Sequence, residues 1–386
     1  MENSLVELDS IAITAIVNDE IDLISPSRHP DVHHPGCFTG VPLVSHQGEQ
    51  EWTHSRGGAS VEMRMDRICC GAHGLCLLVS ATKGEETHTL MFDAGPEAEA
   101  FERNVRRLGL IDGSGGDIGT VETILLSHWH RDHSGGLLKA IEMINRQRTT
   151  QAQRNSAGSE LAVDIPPERP LYRGIAHPAG PICLEADPSP EEIAGAGACV
   201  VERAATETIL GGFFGVTGMI PRKTTYETGI AGGLRFEKAH GCEQGTWLKD
   251  EEIQEERVVV CRLKGKGLVV FTGCSHAGII NIANHVLDTF STASRRQHDF
   301  YALVGGYHLA DASESRLQST LTDLTDLGPK LLMPGHCTGW RFRALLEQRD
   351  QGPPSDNSQA GSLEARSLKG RTVPLFAGNR YQLSSV

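Results

Sequence analysis

Residues 127–136 read Ser-His-Trp-His-Arg-Asp-His-Ser-Gly-Gly and follow directly on the apolar run Val121–Leu126. A short run of that kind is a buried strand, so the chain must turn where it ends. Three imidazoles and a carboxylate, His128, His130, Asp132 and His133, therefore collect at one edge of a sheet. Side chains two apart on an extended segment point the same way, so His128 and His130 can share one metal. Asp132 and His133 open the following helix and can face a second. Zinc accepts such nitrogen and oxygen donors, and a catalytic site keeps a position for water. A polar helix cap would employ Asp132 or Ser134, but it leaves three histidines in six residues unexplained.

Four residues cannot complete two metal sites, so other strands must deliver ligands to the same edge. Several segments read as strands with a chemical residue just past the end: His88–Phe92 before Asp93, Leu268–Phe271 before Cys274 and His276, Phe300–Val304 before His308, and Lys330–Met333 before His336. Further strands are expected at Ile11–Val17, Leu75–Val79 and Val258–Arg262. Helical spacing is expected over Glu97–Leu108, from Ser134 to about Asn145, over Ile279–Leu287 and over Ser313–Leu327. Alternating strand and helix text predicts an α/β chain. A single domain over residues 1–386 is expected, with surface insertions near 25–58, 146–170 and 348–371. No repeat of fixed period is found.

Composition narrows the partners. A net charge of −13 opposes a nucleic-acid partner, which needs a basic stripe. No apolar run approaches the ~20 residues of a membrane span, and the acidic N-terminus is unlike a secretory signal, so a cytoplasmic protein acting on a small molecule is expected. The oligomeric state is left open. The ten cysteines show no CxxC pair or disulfide framework. His29, His33, His34, His46 and His54 fall in an aperiodic segment and read mainly as loop histidines, with metal binding as the alternative.

The segment SHWHRDHSGG resembles the metal-binding signature of the metallo-β-lactamase superfamily, commonly THxHxDH, with Ser127 in the place of Thr. Phe92-Asp-Ala-Gly95 is similar to that superfamily's strand-end Asp-Thr-Gly. Gly218–Arg222, Thr272–Gly278 with Asn281, Gly305–Leu309 and Pro334–Gly339 resemble one branch more narrowly. It is named after the archaeal dihydropterin-methyl-ribofuranosylaminobenzene-phosphate synthase. The resemblance implies an αββα sandwich, an α+β arrangement with a dinuclear metal site along one edge. His128, His130 and His276 would bind one ion, and Asp132, His133 and His336 the other. Asp93 would support the metal loop from behind. Cys274 stands where many members carry a bridging carboxylate, and we read it as a buried strand residue, with a soft ligand as the alternative. His308 and Tyr307 are assigned to substrate, and Arg222 to an anionic substrate group.

Two divalent ions, zinc in the first instance and iron or manganese otherwise, would make hydroxide available near neutral pH. The expected reaction is hydrolysis of a small ester, lactone or lactam-like amide, with Asp132 or His308 moving the proton to the leaving group. The alternatives are a phosphodiesterase, a pterin-related C–N bond-forming enzyme of the same branch, and an iron-dependent dioxygenase. A heteroaromatic substrate would stack against Trp129, Phe213 or Phe214, although core packing is the commoner use of such residues.

Overall fold

The structure is a computed structural model and describes residues 4–152, 160–238, 244–291, 299–348, 368 and 370–385. Two large sheets lie face to face. The first has eight strands in the order Cys199–Glu202, Ala162–Ile165, Val121–Leu125, Glu86–Phe92, Cys76–Lys83, Ser10–Val17, Arg380–Ser384, Val32–His33. The second runs Glu207–Ile209, Phe214–Val216, Val259–Leu263, Gly267–Thr272, Phe300–Gly306, Leu331–Gly335, with Glu7–Leu8 beside Val259–Leu263.

Alternation of side chains assigns the layers. In Glu86–Phe92, Leu90 and Phe92 enter the core between the sheets, while Met91 points to the opposite face. In Gly267–Thr272, Val269 and Phe271 enter the inter-sheet core, whereas Leu268 and Val270 meet the outer helices. Such continuous apolar strands belong to sheets covered on both faces. Helices Ala98–Arg107 and Leu137–Ala152 cover the first sheet through Phe101, Val105, Ile141 and Ile144. Helices Ile279–Phe290, Glu314–Leu327 and Trp340–Gln348 cover the second through Ile282, Val286, Leu321 and Phe342. The layer order is thus helix, sheet, sheet, helix, as the resemblance implies.

Parallel pairing places the site. Glu86–Phe92 runs parallel to Val121–Leu125, and Gly267–Thr272, Phe300–Gly306 and Leu331–Gly335 are mutually parallel. Two antiparallel pairings in succession turn Ser10–Val17 into the direction of Glu86–Phe92. Its end therefore joins the same edge.

One sequence expectation changes. Residues 146–170, read as a surface insertion, contain the last turns of helix Leu137–Ala152 and the strand Ala162–Ile165, whose Val163 and Ile165 are buried. The polar text on either side of that four-residue strand hides it. Residues 25–58 carry only short elements, including helix Gln50–Ser55. Three of its histidines have partners within the fold, His29 on the Lys330 carbonyl, His34 on the Arg380 carbonyl and His46 stacked on Trp52. Most of the expected insertion at 348–371 lies outside the described residues.

Candidate metal centre

Four residues at this edge adopt left-handed backbone although none is glycine: Asp93 (φ 60°), Ser275 (φ 67°), His308 (φ 48°) and His336 (φ 43°). Each follows the end of a strand. Such conformations cost of order 1–3 kcal/mol each and persist where the surroundings demand them. Here they turn the chain sharply enough to aim side chains along the edge. Gly273 is required for a related reason, since a Cβ there would lie 2.3 Å from Ser127 Oγ.

The first cluster is three ring nitrogens. His128 Nε2 lies 2.9 Å from His130 Nδ1, and His276 Nε2 lies 3.2 Å and 3.1 Å from them. Two nitrogens bound ~2.1 Å from one tetrahedral ion stand roughly 3.4 Å apart, so the cluster has the size a zinc-like ion needs. The tautomer of His128 follows from its neighbours. Ser127 Oγ donates to Asp93 Oδ2 at 2.8 Å and therefore accepts from His128 Nδ1 at 2.9 Å, which leaves the Nε2 lone pair free. Burial holds His128 and His276 well below the ordinary histidine range and pushes His130 down to about 3, with neighbouring positive charge adding to the effect. Neutral imidazole is the form that binds metal.

The second cluster joins Asp132, His133, His336 and Cys274. Asp132 Oδ2 is 3.1 Å from His336 Nε2 and 3.5 Å from His133 Nε2. Cys274 Sγ is 3.2 Å from His133 Nε2 and 3.4 Å from His336 Nε2. It also groups with His128 and His276, and so stands at the junction of the two clusters. Each histidine here is held from behind by a carboxylate. His133 Nδ1 donates to Asp93 Oδ2 at 2.6 Å, and His336 Nδ1 donates to Asp19 Oδ1 at 2.8 Å. Such partners fix the tautomer and aim Nε2 at the ion. Burial opposes the charge on Asp132, but His133, His336 and His130 outweigh it and hold the carboxyl below its usual range. Burial likewise opposes protonation of His133, yet Asp132 and Asp93 raise it.

The expected residues divide clearly. His128, His130, Asp132, His133, His276 and His336 converge, with Asp93 behind them, and His308 faces the same cavity, its ring edge-on to His276 at 4.4 Å. The Cys274 thiol, read as standing apart from the ligands, points between them. Two substrate assignments are corrected. Tyr307 is buried, donates to the Leu303 carbonyl at 3.0 Å and packs by Phe342, because alternation along Phe300–Gly306 sends it to the helix layer. Arg222 donates to the His276 carbonyl at 2.7 Å and braces that loop without lining the cavity. Trp129, Phe213 and Phe214 are core residues.

Sequence reading gave no role to Asn18, Asp19, His73, Glu256 or Cys337. Asn18 Oδ1 accepts the His336 amide at 2.8 Å, and Asp19 also accepts from His73 Nδ1 at 2.9 Å. Glu256 accepts the amides of His276 at 2.8 Å and Ala277 at 2.7 Å, and burial pushes its carboxyl up to about 7. The strand-end rule that selected Asp93 would have selected Asp19, which follows Ser10–Val17. Above the clusters opens a cavity of about 490 Å³, lined by members of both clusters (His130, His276, Asp132, His336 and Cys274) and by His73, His308 and Cys337.

The fold and its paired histidine clusters define the class: this is a metallo-β-lactamase-fold protein. The same fold is seen in Tm1679, a metal-dependent hydrolase of the beta-lactamase superfamily, at a TM-score of 0.58 and 20% identity over 97% of this chain and 99% of that one. The sequence is similar to the 7,8-dihydropterin-6-methyl-4-(beta-D-ribofuranosyl)-aminobenzene-5'-phosphate synthase of Methanocaldococcus jannaschii. The identity is 28% over 276 residues, 71% of this chain and 83% of that protein. An uncharacterized protein of the same archaeon is 24% identical over 282 residues, 72% of this chain and 88% of its own length. No protein-family profile matches the chain. Among the described residues no helix is long and apolar enough to cross a membrane.

Proposed function

We propose that the chain is a metal-dependent hydrolase that opens a small-molecule ester, lactone or lactam-like amide bond. The observation that carries this reading is the convergence of two buried donor clusters at the floor of one cavity. His128, His130 and His276 would hold one divalent ion, and Asp132, His133 and His336 a second, with the Cys274 thiol between them. A sulfur donor among imidazoles suits zinc or iron better than magnesium or calcium. Ions held by these residues would lower the pKa of a bound water towards ~7 and polarise a carbonyl oxygen.

The chain's own groups do the rest. Asp93, Asp19 and Ser127 orient His133, His336 and His128, so the donors are pre-aimed and the site needs no rearrangement to load. Glu256 and Arg222 hold the His276 loop from its two backbone sides, through the amide and through the carbonyl. Asp132 is committed to the donor set, which leaves His308, facing the cavity beside His276, to deliver a proton to the leaving atom. Arg222, the residue that favoured a phosphodiesterase, donates to the His276 carbonyl and is not among the residues lining the cavity, so the cavity adds no support for that reading.

A second reading is the pterin-related bond formation named for the archaeal relative, favoured by that 28% identity. A panel of lactones, lactams, thioesters and phosphodiesters, assayed on zinc-loaded protein with and without chelator, separates the two. Chelator-sensitive cleavage of an acyl bond supports hydrolysis, and no cleavage with intact metal favours the synthase-like reaction.

A further inference from the structure

The cavity is closed on one side by a separate four-stranded sheet, Ile182–Cys183, Tyr172–Ile175, Gly233–Lys238 and Gly245–Lys249. From this sheet and its connections Ile175, Leu184, Ile230 and Leu234 face the cavity across from the histidines. The two arginines that line the cavity are already committed. Arg131 donates to the Ala186 carbonyl at 2.8 Å and pairs with Glu185 at 2.7 Å. Buried Arg173 donates to the Trp129 carbonyl at 2.8 Å and pairs with both Asp250 and Glu255. Asp311 adds an exposed carboxylate to the rim. The wall therefore offers apolar surface and balanced or negative charge.

We infer, resting on the hydrolase reading, that the substrate carries a compact apolar body of about one or two rings. It lies against Ile175, Leu184, Ile230 and Leu234 with its scissile bond towards His276 and His308. It bears no anionic group away from the scissile bond, because the Asp311 and Glu185 carboxylates at the rim repel one and the nearby guanidiniums are paired. In this the substrate differs from one built around a phosphate. Burying ~100 Å² of apolar surface on the wall corresponds to roughly 50-fold in affinity.

Three acetate esters with alkyl leaving groups test this on zinc-loaded full-length protein: cyclohexylmethyl acetate, ethyl acetate and 3-phosphooxypropyl acetate. The cyclohexylmethyl ester is expected to show kcat/KM at least ~10-fold above each of the others. The ratio of cyclohexylmethyl to ethyl ester should fall ~10-fold in Ile230→Ser and in Leu234→Ser, each checked for an unchanged circular dichroism spectrum. Equal constants for the three esters, or an unchanged ratio in both variants, overturn the inference and leave the hydrolase reading standing. If no ester is cleaved, the hydrolase reading is decided by the wider panel of lactones, lactams and thioesters, and calorimetry decides the wall on its own. Cyclohexylacetate should then bind at least tenfold more tightly than acetate in wild type and not in Ile230→Ser, and equal affinities overturn the inference.

Discussion

The thiol of Cys274 lies 3.2 Å from Nε2 of His133, on the side of the imidazole opposite its bond to Asp93. Two links of the chain meet in that contact. Gly267–Thr272 must end so that the thiol turns inward, and Gly273 must lack a side chain so that this loop can lie against Ser127. The Asp93 carboxylate then fixes His133 from behind while Cys274 stands in front of it.

This arrangement sets an expectation for Cys274. Burial holds its thiol well above the usual cysteine range, with Cys337 and Asp132 adding to the effect, so metal uptake must expel a proton. In cobalt-loaded protein a thiolate-to-metal charge-transfer band should appear in the near ultraviolet and vanish in Cys274→Ser, with metal affinity reduced at least ~10-fold. A spectrum unchanged by the substitution would place the thiol outside the donor set.

Asp93 should act on metal without touching it. Its two oxygens accept from the Ser127 amide at 2.7 Å, the Ser127 hydroxyl and His133. Asp93→Ala is expected to weaken metal binding ~10–100-fold, the usual effect of losing a partner behind a ligand. Competition with a chromophoric chelator measures it.

The buried Glu256 predicts a pH trend in metal-free stability. Its folded pKa is raised to about 7 from an ordinary value of 4.5, with burial the cause. Between those values the folded state holds more protons than the unfolded one, so this group's contribution falls as pH rises across the window. Glu256→Gln should flatten that part of the curve, read by urea unfolding between pH 5 and 7.5.

A structural prediction concerns the strand beside the metal loop. Buried Arg257 donates to the Leu126 carbonyl at 3.0 Å and to the carboxylate and carbonyl of Asp164, both at 2.6 Å. Removing one partner leaves the other charge buried and uncompensated, so Asp164→Ala should cost ~3–5 kcal/mol in denaturant unfolding.

The centre was legible where strand ends carry their chemistry in the sequence itself. His128, His130, Asp132 and His133 lie within one hexad, and the periodicity around His276 and His336 marks the strands that deliver them. Tyr307 was misread because proximity in sequence does not say to which face a strand-end side chain turns, and Arg222 because a loop residue's hydrogen-bond partner leaves no mark in the spacing. Glu256 was missed because it acts on backbone amides across a loop, a role that leaves no spacing to read. The strand Ala162–Ile165 escaped because four residues between polar tracts give too little alternation.

The most direct test of the account is elemental analysis of the purified protein beside His130→Ala, coupled to hydrolysis with and without chelator. The account predicts about two divalent ions per chain in wild type, at least one lost in the variant, and activity that disappears with the metal and returns on adding zinc. Wild-type protein that binds no divalent ion, or that hydrolyses equally well after complete chelation, would contradict it.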